Sequence, residues 1–384
     1  MIPRTEMAYQ KKPIKVCLVV ASLDILGGQS IQALRLLEGL LRAGEVYAEV
    51  LPINPRLPEP LRALQRIKYV RTVVTSILYV ASLLIKLPRF DVVQVFSASN
   101  FSFLISPAPA VLIAKLFGKP VILNYHSGQA EDHLKNYPRT AIPIIKLADR
   151  LVVPSDFLVD VFAKFGIRAE AIFNTVDFAR FRYRKRDSLR PILFANRNLE
   201  SHYNVECALR AFALVQRQVP PARLIVAGDG SERAKLHAAA AELGLKNIEF
   251  VGAVPPEQMP ALYDRADIYL NSSDVDNMPL SILEAFACGL PVVTTDAGGI
   301  PYIVTDLETG LLARRGDHRA LAASILRLLA DDALGSKLAS RAHEECRKYE
   351  WSAVSGQWHK LYYEMAPEKV AVKGERVGVI EQRP

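Results

Sequence analysis

Residues 271–304 read NSSDVDNMPLSILEAFACGLPVVTTDAGGIPYIV and contain a strand end, a helix and a second strand in succession. The apolar run Ile268–Asn271 predicts the first strand, and Val292–Thr294 predicts the second. A helix is expected over about 280–288, because Pro279 suits the first turn of a helix. This order predicts two parallel strands joined by a crossover helix, the unit from which α/β domains are built.

The same alternation of strand, loop and helix extends in both directions along the chain. Further predicted strands are Ile14–Val20, Val92–Phe96, Val121–Tyr125, Leu151–Val153, Ala171–Phe173, Ile192–Ala195, Leu224–Ala227 and Ile248–Val251. Further predicted helices are Ile31–Arg42, Ala110–Phe117, 204–218, 231–243, 257–264 and 317–330. The strands lack in–out alternation, so both of their faces are expected to be buried under helices.

The length of the chain and one basic segment predict two domains. At roughly 100–200 residues per domain, 384 residues suit two or three. The segment FRYRKRDSLRP, residues 181–191, is basic and ends in proline, which predicts a linker with a hinge near residue 187. We therefore expect two doubly wound Rossmann-like domains, 1–187 and 188–350, facing each other across a cleft. The polar residues 367–384 are expected to be disordered.

Composition excludes several classes of protein. Half of the residues are hydrophobic and 23% are charged, which is typical of a globular chain and excludes a disordered, collagen-like or disulfide-scaffolded one. The four cysteines are far apart, so we expect no zinc site and a reducing, cytoplasmic compartment; they are Cys17, Cys207, Cys288 and Cys346.

The positive charge is concentrated in the first half of the chain. Residues 1–190 contain 27 Lys and Arg against 15 Asp and Glu, whereas the remainder contains 21 against 25. Such a basic half is compatible with an anionic membrane, a phosphorylated substrate, nucleic acid or solubility alone. The uncharged run Thr72–Ile85 has 14 residues, fewer than the roughly 20 of a spanning helix. The flanking basic residues leave two alternatives for Tyr69–Leu87, a helix on an anionic leaflet or a buried helix of the first domain.

In doubly wound sheets, ligands bind at the carboxyl ends of the strands, and several notable residues follow predicted strands. Gly27-Gly28 precedes a helix and either binds an anion or forms a tight turn. His126 follows a strand and points to the cleft, unless it is structural. Arg197 follows the first strand of the second domain, where it either binds a phosphate or forms a surface ion pair.

The second domain contributes further candidates. Gly228-Asp229-Gly230 is expected to form a sharp turn, and the turn alone accounts for an aspartate at position 229. Asp274 and Asp276 spell D-x-D, which we discount as a metal motif because three-residue matches are common by chance. Glu284 lies in an apolar helix and needs a partner, for which sugar hydroxyls are natural donors. Gly298-Gly299 begins a second turn suited to anions.

The stretch DNMPLSILEAFACGLPVVTTDAGGIPYIV, residues 276–304, resembles the donor-site signature of the family-4 glycosyltransferases, which have the twin-Rossmann GT-B fold. The resemblance covers most of the chain. Supporting pieces are Gly27-Gly28, His126, VPSDFLVDVF at 153–162, Asn174-Thr-Val-Asp177, Arg197, Gly228-Asp229-Gly230 and the final helices near Trp351.

The resemblance implies a retaining, metal-independent transfer of sugar from a nucleoside diphosphate donor, with no cofactor. It implies that Glu284 holds the donor ribose, that Asp276 lies near the donor sugar and that Arg197 neutralises the diphosphate. His126 would contact the transferred sugar. The glycines that would approach the diphosphate are Gly27, Gly28, Gly228, Gly298 and Gly299, beside Asp229. A helix at about 351–366 would pack back on the first domain.

Two departures from the family pattern keep an alternative open. The paired acidic motif of the family usually begins with Glu, whereas Asp276 is shorter, and a Lys commonly follows the Arg, where this chain has His202 and Tyr203. The alternative is a catalytically degenerate protein that binds a nucleotide sugar without transfer. A nicotinamide oxidoreductase is disfavoured, because no G-x-G-x-x-G follows the first strand.

The expected partners follow from this interpretation. They are a nucleotide-sugar donor and a glycan or lipid-linked acceptor, with an anionic membrane surface left open and no nucleic acid. We expect a polysaccharide- or glycolipid-building enzyme in the cytoplasm, either free or attached peripherally to the inner face of the cell membrane.

Overall fold

The computed structural model describes residues 13–22, 27–55, 57 and 68–366. The described residues form two parallel six-stranded sheets with helices on both faces. This arrangement confirms the predicted α/β class with two Rossmann-like domains. The predicted disordered tail, 367–384, lies outside the described residues.

The first sheet has the strand order β2-β1-β3-β4-β5-β6. Its strands are β1 (Ile14–Val20), β2 (Val46–Pro52), β3 (Val92–Ser97), β4 (Val121–Tyr125), β5 (Arg150–Val153) and β6 (Glu170–Ala171). Its helices are α1 (Gly28–Ala43), α2 (Lys68–Lys86), α3 (Asn100–Ile105), α4 (Pro107–Leu116), α5 (Ala130–Asn136), α6 (Pro138–Leu147) and α7 (Asp156–Ala163).

The second sheet has the strand order β12-β11-β10-β7-β8-β9. Its strands are β7 (Ile192–Asn196), β8 (Arg223–Ala227), β9 (Ile248–Gly252), β10 (Ile268–Leu270), β11 (Val292–Thr295) and β12 (Leu311–Ala313). Its helices are α8 (Val205–Gln218), α9 (Arg233–Glu242), α10 (Met259–Arg265), α11 (Leu280–Ala287), α12 (His318–Ala330) and α13 (Asp332–Cys346). The chain ends its described part with α14 (Trp351–Met365).

The last helix crosses back onto the first domain. In α14, Trp358 and Tyr362 are buried in the same cluster as Val16 and Leu18 of β1. The close packing of α14 on α1 depends on Gly39, because a Cβ at that position would lie 2.3 Å from the Trp351 ring. Helices α1 and α14 thus cover one face of the first sheet, whereas α2 and α4 cover the other.

The basic segment 181–191 is not a free linker, which corrects the predicted hinge near residue 187. Asp267 is 1% exposed and accepts hydrogen bonds from the guanidinium groups of Arg184, Arg186 and Arg190. Burial alone raises the pKa of Asp267, but the hydrogen bonds from Arg190 and Arg184 lower that pKa to about 2. The arginines therefore fasten this segment to the second domain as an ionic cluster.

The chain passes between the two cores upstream of the predicted linker. Ile172 is buried in the core of the first domain, whereas Val176 and Phe181 are buried in that of the second. The backbone amide of Val176 donates to the Tyr349 carbonyl at 3.0 Å. The crossing therefore lies between Ile172 and Val176, close to the cleft.

Candidate active site

A cavity of about 810 Å³ lies between the two domains at the carboxyl ends of both sheets. One wall is formed by residues that follow β1, β3 and β4, and the other by residues that follow β7, β8 and β10. In each sheet the strand order reverses at this edge, between β1 and β3 and between β7 and β10. Both topological switch points, where open α/β sheets bind ligands, therefore face the same cavity.

Glu284 lies in this cavity on α11, at 6% exposure. Its Oε1 accepts a hydrogen bond from Arg35 Nη2 at 2.8 Å, and its Oε2 accepts one from the Tyr263 hydroxyl at 3.1 Å. Burial raises the pKa of Glu284, and the charge and hydrogen bond of Arg35 oppose that rise. Each carboxylate oxygen keeps a second lone pair, so the group can still accept hydrogen bonds from ligand hydroxyls.

Arg35 joins the two domains and was not predicted from the sequence. It projects from α1, donates through Nη1 to the Thr175 carbonyl, and reaches Glu284 from the opposite domain. In the sequence, Arg35 lies in an amphipathic helical pattern and resembles any surface arginine. Its partner, Glu284, lies 249 residues later in the chain. Only the packing of the two domains brings the pair together.

Arg197 and Asp276 form a second ion pair in the cavity. Both residues follow strands whose carboxyl ends were expected to face the cleft. Arg197 Nη2 lies 2.7 Å from Asp276 Oδ2, and Nη1 donates to Ser281 Oγ at 3.3 Å. The guanidinium carbon lies 4.1 Å from the centre of the Tyr203 ring, so the cation is also stacked. Asp276 thus reaches the guanidinium despite being shorter than Glu.

Two buried nitrogen atoms in this cavity have no hydrogen-bond partner among the described residues. They are Arg197 Nε and His126 Nε2. Both residues line the cavity, Arg197 in the second domain and His126 in the first. Buried polar atoms are nearly always paired, so these two nitrogens are candidates for hydrogen bonds with a polar ligand.

His126 follows β4 and stacks on Phe96 with ring centroids 5.4 Å apart. Burial lowers the pKa of His126 to about 4. The imidazole is therefore neutral near pH 7, and one ring nitrogen can donate to a hydroxyl while the other accepts.

The structure brings the Gly27-Gly28 turn to the cavity as well. Gly28 begins α1, and a Cβ there would lie 3.9 Å from Leu280, the first residue of α11. The N-termini of two helices from different domains therefore face each other across the cleft. Their first backbone N–H groups have no acceptor inside the helix and carry partial positive charge.

Gly228 and Asp229 line the cavity, but their observed contacts are structural. Gly228 has a φ of 134°, and a Cβ there would lie 2.2 Å from the Arg197 carbonyl oxygen. Asp229 Oδ1 accepts from the Gly230 amide, and its carboxylate pairs with exposed Arg233 at 3.4 Å. This turn supports the backbone behind Arg197.

The expectation that Gly298-Gly299 contacts the diphosphate requires correction. Neither glycine lines the cavity. The Gly299 amide donates to the Asp276 carbonyl at 3.1 Å, and a Cβ on Gly298 would lie 2.2 Å from that same oxygen. Because the Gly299 N–H already has an acceptor, the pair acts by letting the backbone approach the loop of Asp276 closely.

The first domain and the segment that crosses between the domains hold the loop between β10 and α11 in place. Asn174 donates through Nδ2 to the Met278 carbonyl at 3.2 Å, and the Ser155 hydroxyl hydrogen-bonds to the Asn277 side chain. Ser155 also accepts from the Leu158 amide as the cap of α7. The loop that carries Asp276 is thus positioned by both domains.

Carboxylates outnumber cations in the described lining of the cavity. The lining contains Arg35, Arg180 and Arg197 against Glu38, Asp177, Asp229, Asp276 and Glu284, together with His126 and His202. Asp274 lies outside this lining and accepts a hydrogen bond from Asn204 Nδ2 at 2.9 Å. Each of the three arginines forms an ion pair with one of these carboxylates: Arg35 with Glu284, Arg180 with Asp177 and Arg197 with Asp276.

Comparison with known proteins identifies the two domains separately. Residues 26–180 match the family model Glycosyltransferase Family 4, and residues 176–348 match that of Glycosyl transferases group 1. An exopolysaccharide phosphotransferase of Streptomyces coelicolor is 31% identical over 60% of this chain and 25% of its own length. An amylovoran biosynthesis glycosyltransferase of Erwinia amylovora is 31% identical over 56% of this chain and 55% of its own. The chain thus spans a quarter to about half of these relatives.

A solved structure supports the fold over nearly the whole chain. Anabaena HepE in complex with UDP and glucose superposes with a TM-score of 0.72 at 18% identity, covering 91% of this chain and 99% of HepE. The two family matches together run from residue 26 to residue 348. The chain therefore belongs to the group 1 glycosyltransferases of the GT-B fold, with a family 4 N-terminal domain.

Proposed function

We propose that this chain is a retaining, metal-independent glycosyltransferase that moves a sugar from a nucleoside diphosphate donor to a hydroxyl acceptor. The observation that carries the proposal is the arrangement around one cavity of two unpartnered nitrogens, Arg197 Nε and His126 Nε2, with the carboxylate of Glu284. These groups suit the diphosphate, the sugar and the ribose of such a donor. HepE, which shares the fold, is described with UDP and glucose.

In the proposed reaction, the acceptor oxygen bonds to the anomeric carbon while the bond from that carbon to the diphosphate breaks. The acceptor proton passes to an oxygen of the leaving phosphate on the same face of the sugar, so no protein nucleophile is required. Arg197 and the N-terminus of α11 stabilise the negative charge that develops on the leaving group. Contact between the domains keeps water from the donor.

A thermal-shift panel of UDP, GDP and ADP sugars tests the donor class. A ligand present at 100 times its Kd stabilises the folded state by about 2.7 kcal/mol, which is a readily measured rise in Tm. We expect one nucleotide base to raise Tm, with the free sugars as inert controls. If none of the nucleotide sugars changes Tm, the proposed donor site is wrong.

A second candidate, a degenerate protein that binds the donor without transfer, is favoured by the excess of carboxylates in the cavity. A dianionic diphosphate meets three arginines and five carboxylates there. Slow hydrolysis of the donor by the wild type that is lost in Glu284→Gln would exclude this candidate.

We also propose that the acceptor is a lipid-linked or polysaccharide glycan, and that the first domain lies on an anionic membrane at the cytoplasmic face. Amylovoran biosynthesis in the Erwinia relative is compatible with such an acceptor. Val70–Arg89 is long and apolar enough to cross a bilayer by length and composition, unlike the 14-residue stretch considered from the sequence. However, Tyr79 and Leu83 of α2 are buried in the core of the first domain, as in a helix that lies along the surface.

An apolar surface on α2 and α4 supports this placement. We define the α2–α4 surface by its exposed apolar side chains, which are Val73, Ile77, Leu84, Ile85, Leu112 and Leu116. Ile77 is 63% exposed and Leu116 is 77% exposed. Phe101, on α3 next to α4, is 67% exposed and also lines the cavity. An acceptor anchored in a membrane could therefore reach the cavity without leaving the lipid surface.

The charge around the α2–α4 surface suits anionic lipid. Residues 70–130, which include most of α2 and all of α3 and α4, contain five Lys and Arg and a single acidic residue, Asp91. Two of these basic side chains, Lys86 and Lys115, form ion pairs with Glu49 and Asp149 of neighbouring elements. Asp91 accepts a hydrogen bond from the Lys15 amide. Each basic side chain near an anionic surface contributes about 1 kcal/mol of attraction.

Vesicle co-sedimentation at low salt tests this placement. We expect binding to vesicles with anionic phosphatidylglycerol and not to phosphatidylcholine alone, and a loss of about tenfold in Ile77→Glu and in Leu116→Glu. Leu41→Glu is the matched control, because Leu41 is 51% exposed on α1, on the opposite face of the first sheet. Failure of the wild type to bind anionic vesicles would contradict membrane attachment. So would a wild-type dimer in solution that becomes monomeric in Ile77→Glu, because the α2–α4 surface would then be an interface between two copies of the chain.

A further inference from the structure

The charge balance of the cavity raises the question of how a diphosphate is neutralised there. Arg197 is paired with Asp276, Arg35 with Glu284, and Arg180 lies 3.5 Å from Asp177. With both histidines neutral, the five carboxylates of the described lining exceed its three arginines by two charges. A bound diphosphate adds two more negative charges, so a further positive charge would stabilise the complex.

We propose that His202 takes up a proton when the nucleotide sugar binds, and so supplies the missing positive charge at the diphosphate. This inference rests on the proposed function, since it concerns the same donor. It makes donor affinity depend on pH through a single titrating side chain.

The position of His202 suits this role. His202 lines the cavity in the short helical turn Ser201–Tyr203 that follows Arg197, and its ring lies against Tyr203 at 4.1 Å between centroids. Tyr203 is the ring on which the Arg197 guanidinium stacks. His202 therefore contacts the same ring as the cation that is expected to meet the diphosphate.

The backbone of this turn is fixed, whereas the imidazole is free to bind. The His202 carbonyl accepts from the amides of Asp274 and Val275 at 3.0 and 3.1 Å. No hydrogen bond or ion pair to the His202 ring is found within the described part of the chain. The ring nitrogens therefore remain available to a phosphate oxygen.

The charged groups around His202 explain why it is neutral before the donor binds. Partial burial and the positive charge of Arg197 lower the pKa of His202, and the carboxylates of Asp276 and Glu200 oppose that change only in part. Asp274, on the loop packed against this turn, is occupied with Asn204. A diphosphate beside Arg197 cancels the charge that lowers the pKa and adds an opposite charge, so the bound state favours the imidazolium.

His126 is a poor source of the same proton. It is buried against Phe96 in the first domain, and its pKa of about 4 keeps it neutral under ordinary conditions. Proton uptake near neutral pH is thus assigned to His202 alone among the histidines of the described lining.

The sign of the pH dependence follows from linkage. A group whose pKa rises on binding takes up protons, so affinity increases as pH falls through the pKa of the bound state and levels off below that of the free state. A rise of about one pKa unit corresponds to at most about tenfold in affinity. Because the pKa of His202 in the free protein lies below the ordinary histidine value of about 6.5, we expect affinity to rise as pH falls from about 8 and to level off only below that value.

Isothermal titration calorimetry with UDP-glucose in buffers of different ionisation enthalpy measures the protons taken up. UDP-glucose is the probe because its diphosphate diester, unlike the terminal phosphate of UDP, does not titrate near pH 7. We expect the wild type to take up a measurable fraction of a proton at pH 7, and more at about pH 6.5, and to bind several-fold more tightly at pH 6 than at pH 8.

Three variants complete the experiment. His202→Gln should take up no proton and bind more weakly at pH 6, and His202→Lys should bind tightly with no dependence on pH over this range. His237→Gln, on α9 against Phe250 and outside the cavity lining, should behave as the wild type. Binding of UDP-glucose without proton uptake, or uptake that persists in His202→Gln, would overturn this inference while leaving the donor site intact. Absence of binding at every pH would refute the UDP-sugar site and this inference together.

Discussion

Glu284→Gln is expected to weaken binding of the nucleotide-sugar donor by about 10- to 100-fold. The substitution keeps the size of the side chain but removes the charge that accepts hydrogen bonds from the ribose. A hydrogen bond to a charged group contributes about 1.5–3 kcal/mol, which corresponds to this range of affinity. In the wild type, Arg35 and the Tyr263 hydroxyl both donate to the Glu284 carboxylate. In the variant, the glutamine NH2 group faces one of these two donors and cannot accept its hydrogen bond. Calorimetric titration with the donor measures the effect.

A matched variant separates ribose binding from the ion pair between the domains. Arg35→Met removes the partner of Glu284 from the first domain but keeps the carboxylate and the bond from Tyr263. We expect donor affinity to change less in Arg35→Met than in Glu284→Gln. Equal losses in both variants would mean that the pair acts by holding the domains together, and wild-type affinity in Glu284→Gln would remove Glu284 from the ribose site.

Arg197→Ala is expected to lower kcat by about 100- to 1,000-fold. Loss of a preorganised group that stabilises charge in the transition state typically has this effect. The substitution also leaves Asp276, 2.7 Å from the guanidinium in the wild type, as a carboxylate without its cation. Arg197→Lys should retain part of kcat, since a lysine supplies charge without the planar fork of arginine. Steady-state kinetics with saturating donor give kcat, and thermal melting checks that each variant is folded.

Arg180→Ala provides the control for Arg197→Ala. Arg180 also lines the cavity, but its side chain is about half exposed and pairs with Asp177 at 3.5 Å within the same turn. Exposed pairs of this kind contribute little, so we expect kcat within a few-fold of the wild type. A similar loss of kcat in both variants would show that the total positive charge of the cavity matters, and not the position of Arg197.

The sequence predicts the strands and the loops that follow them because both depend on local patterns. Buried parallel strands such as β1 and β4 are continuous apolar runs, and the residues after them must lie at one edge of the sheet. This is why His126 and Arg197, which follow different strands in different domains, could both be expected in the cleft. The edge strands β2 and β12 were missed because they lack a long apolar run.

Contacts between distant segments have no comparable local signal. Arg35 and Tyr263 both contact Glu284, but the first resembles a surface arginine and the second a core aromatic residue. The arginines of residues 181–191 suggested a solvated linker, whereas the single buried carboxylate of Asp267 draws them into the second domain. The composition of a segment does not reveal a counter-ion that lies about 80 residues away.

The Gly298-Gly299 turn shows a second limit of reading motifs. Paired glycines permit both a bound anion and a close approach of two backbone segments, and the sequence does not distinguish them. In the structure the Asp276 and Asn277 carbonyls occupy the space that side chains would need at these glycines. The turn therefore shapes the loop of Asp276 from behind and does not face the cavity.

A crystal structure of the chain with the nucleoside diphosphate selected by the thermal-shift panel tests the central claim most directly. We expect the ribose hydroxyls within hydrogen-bond distance of the Glu284 carboxylate, and diphosphate oxygens on the Arg197 guanidinium beside the first turn of α11. A nucleotide bound outside the cavity between the domains, or one whose diphosphate lies away from Arg197, would contradict the proposed donor site.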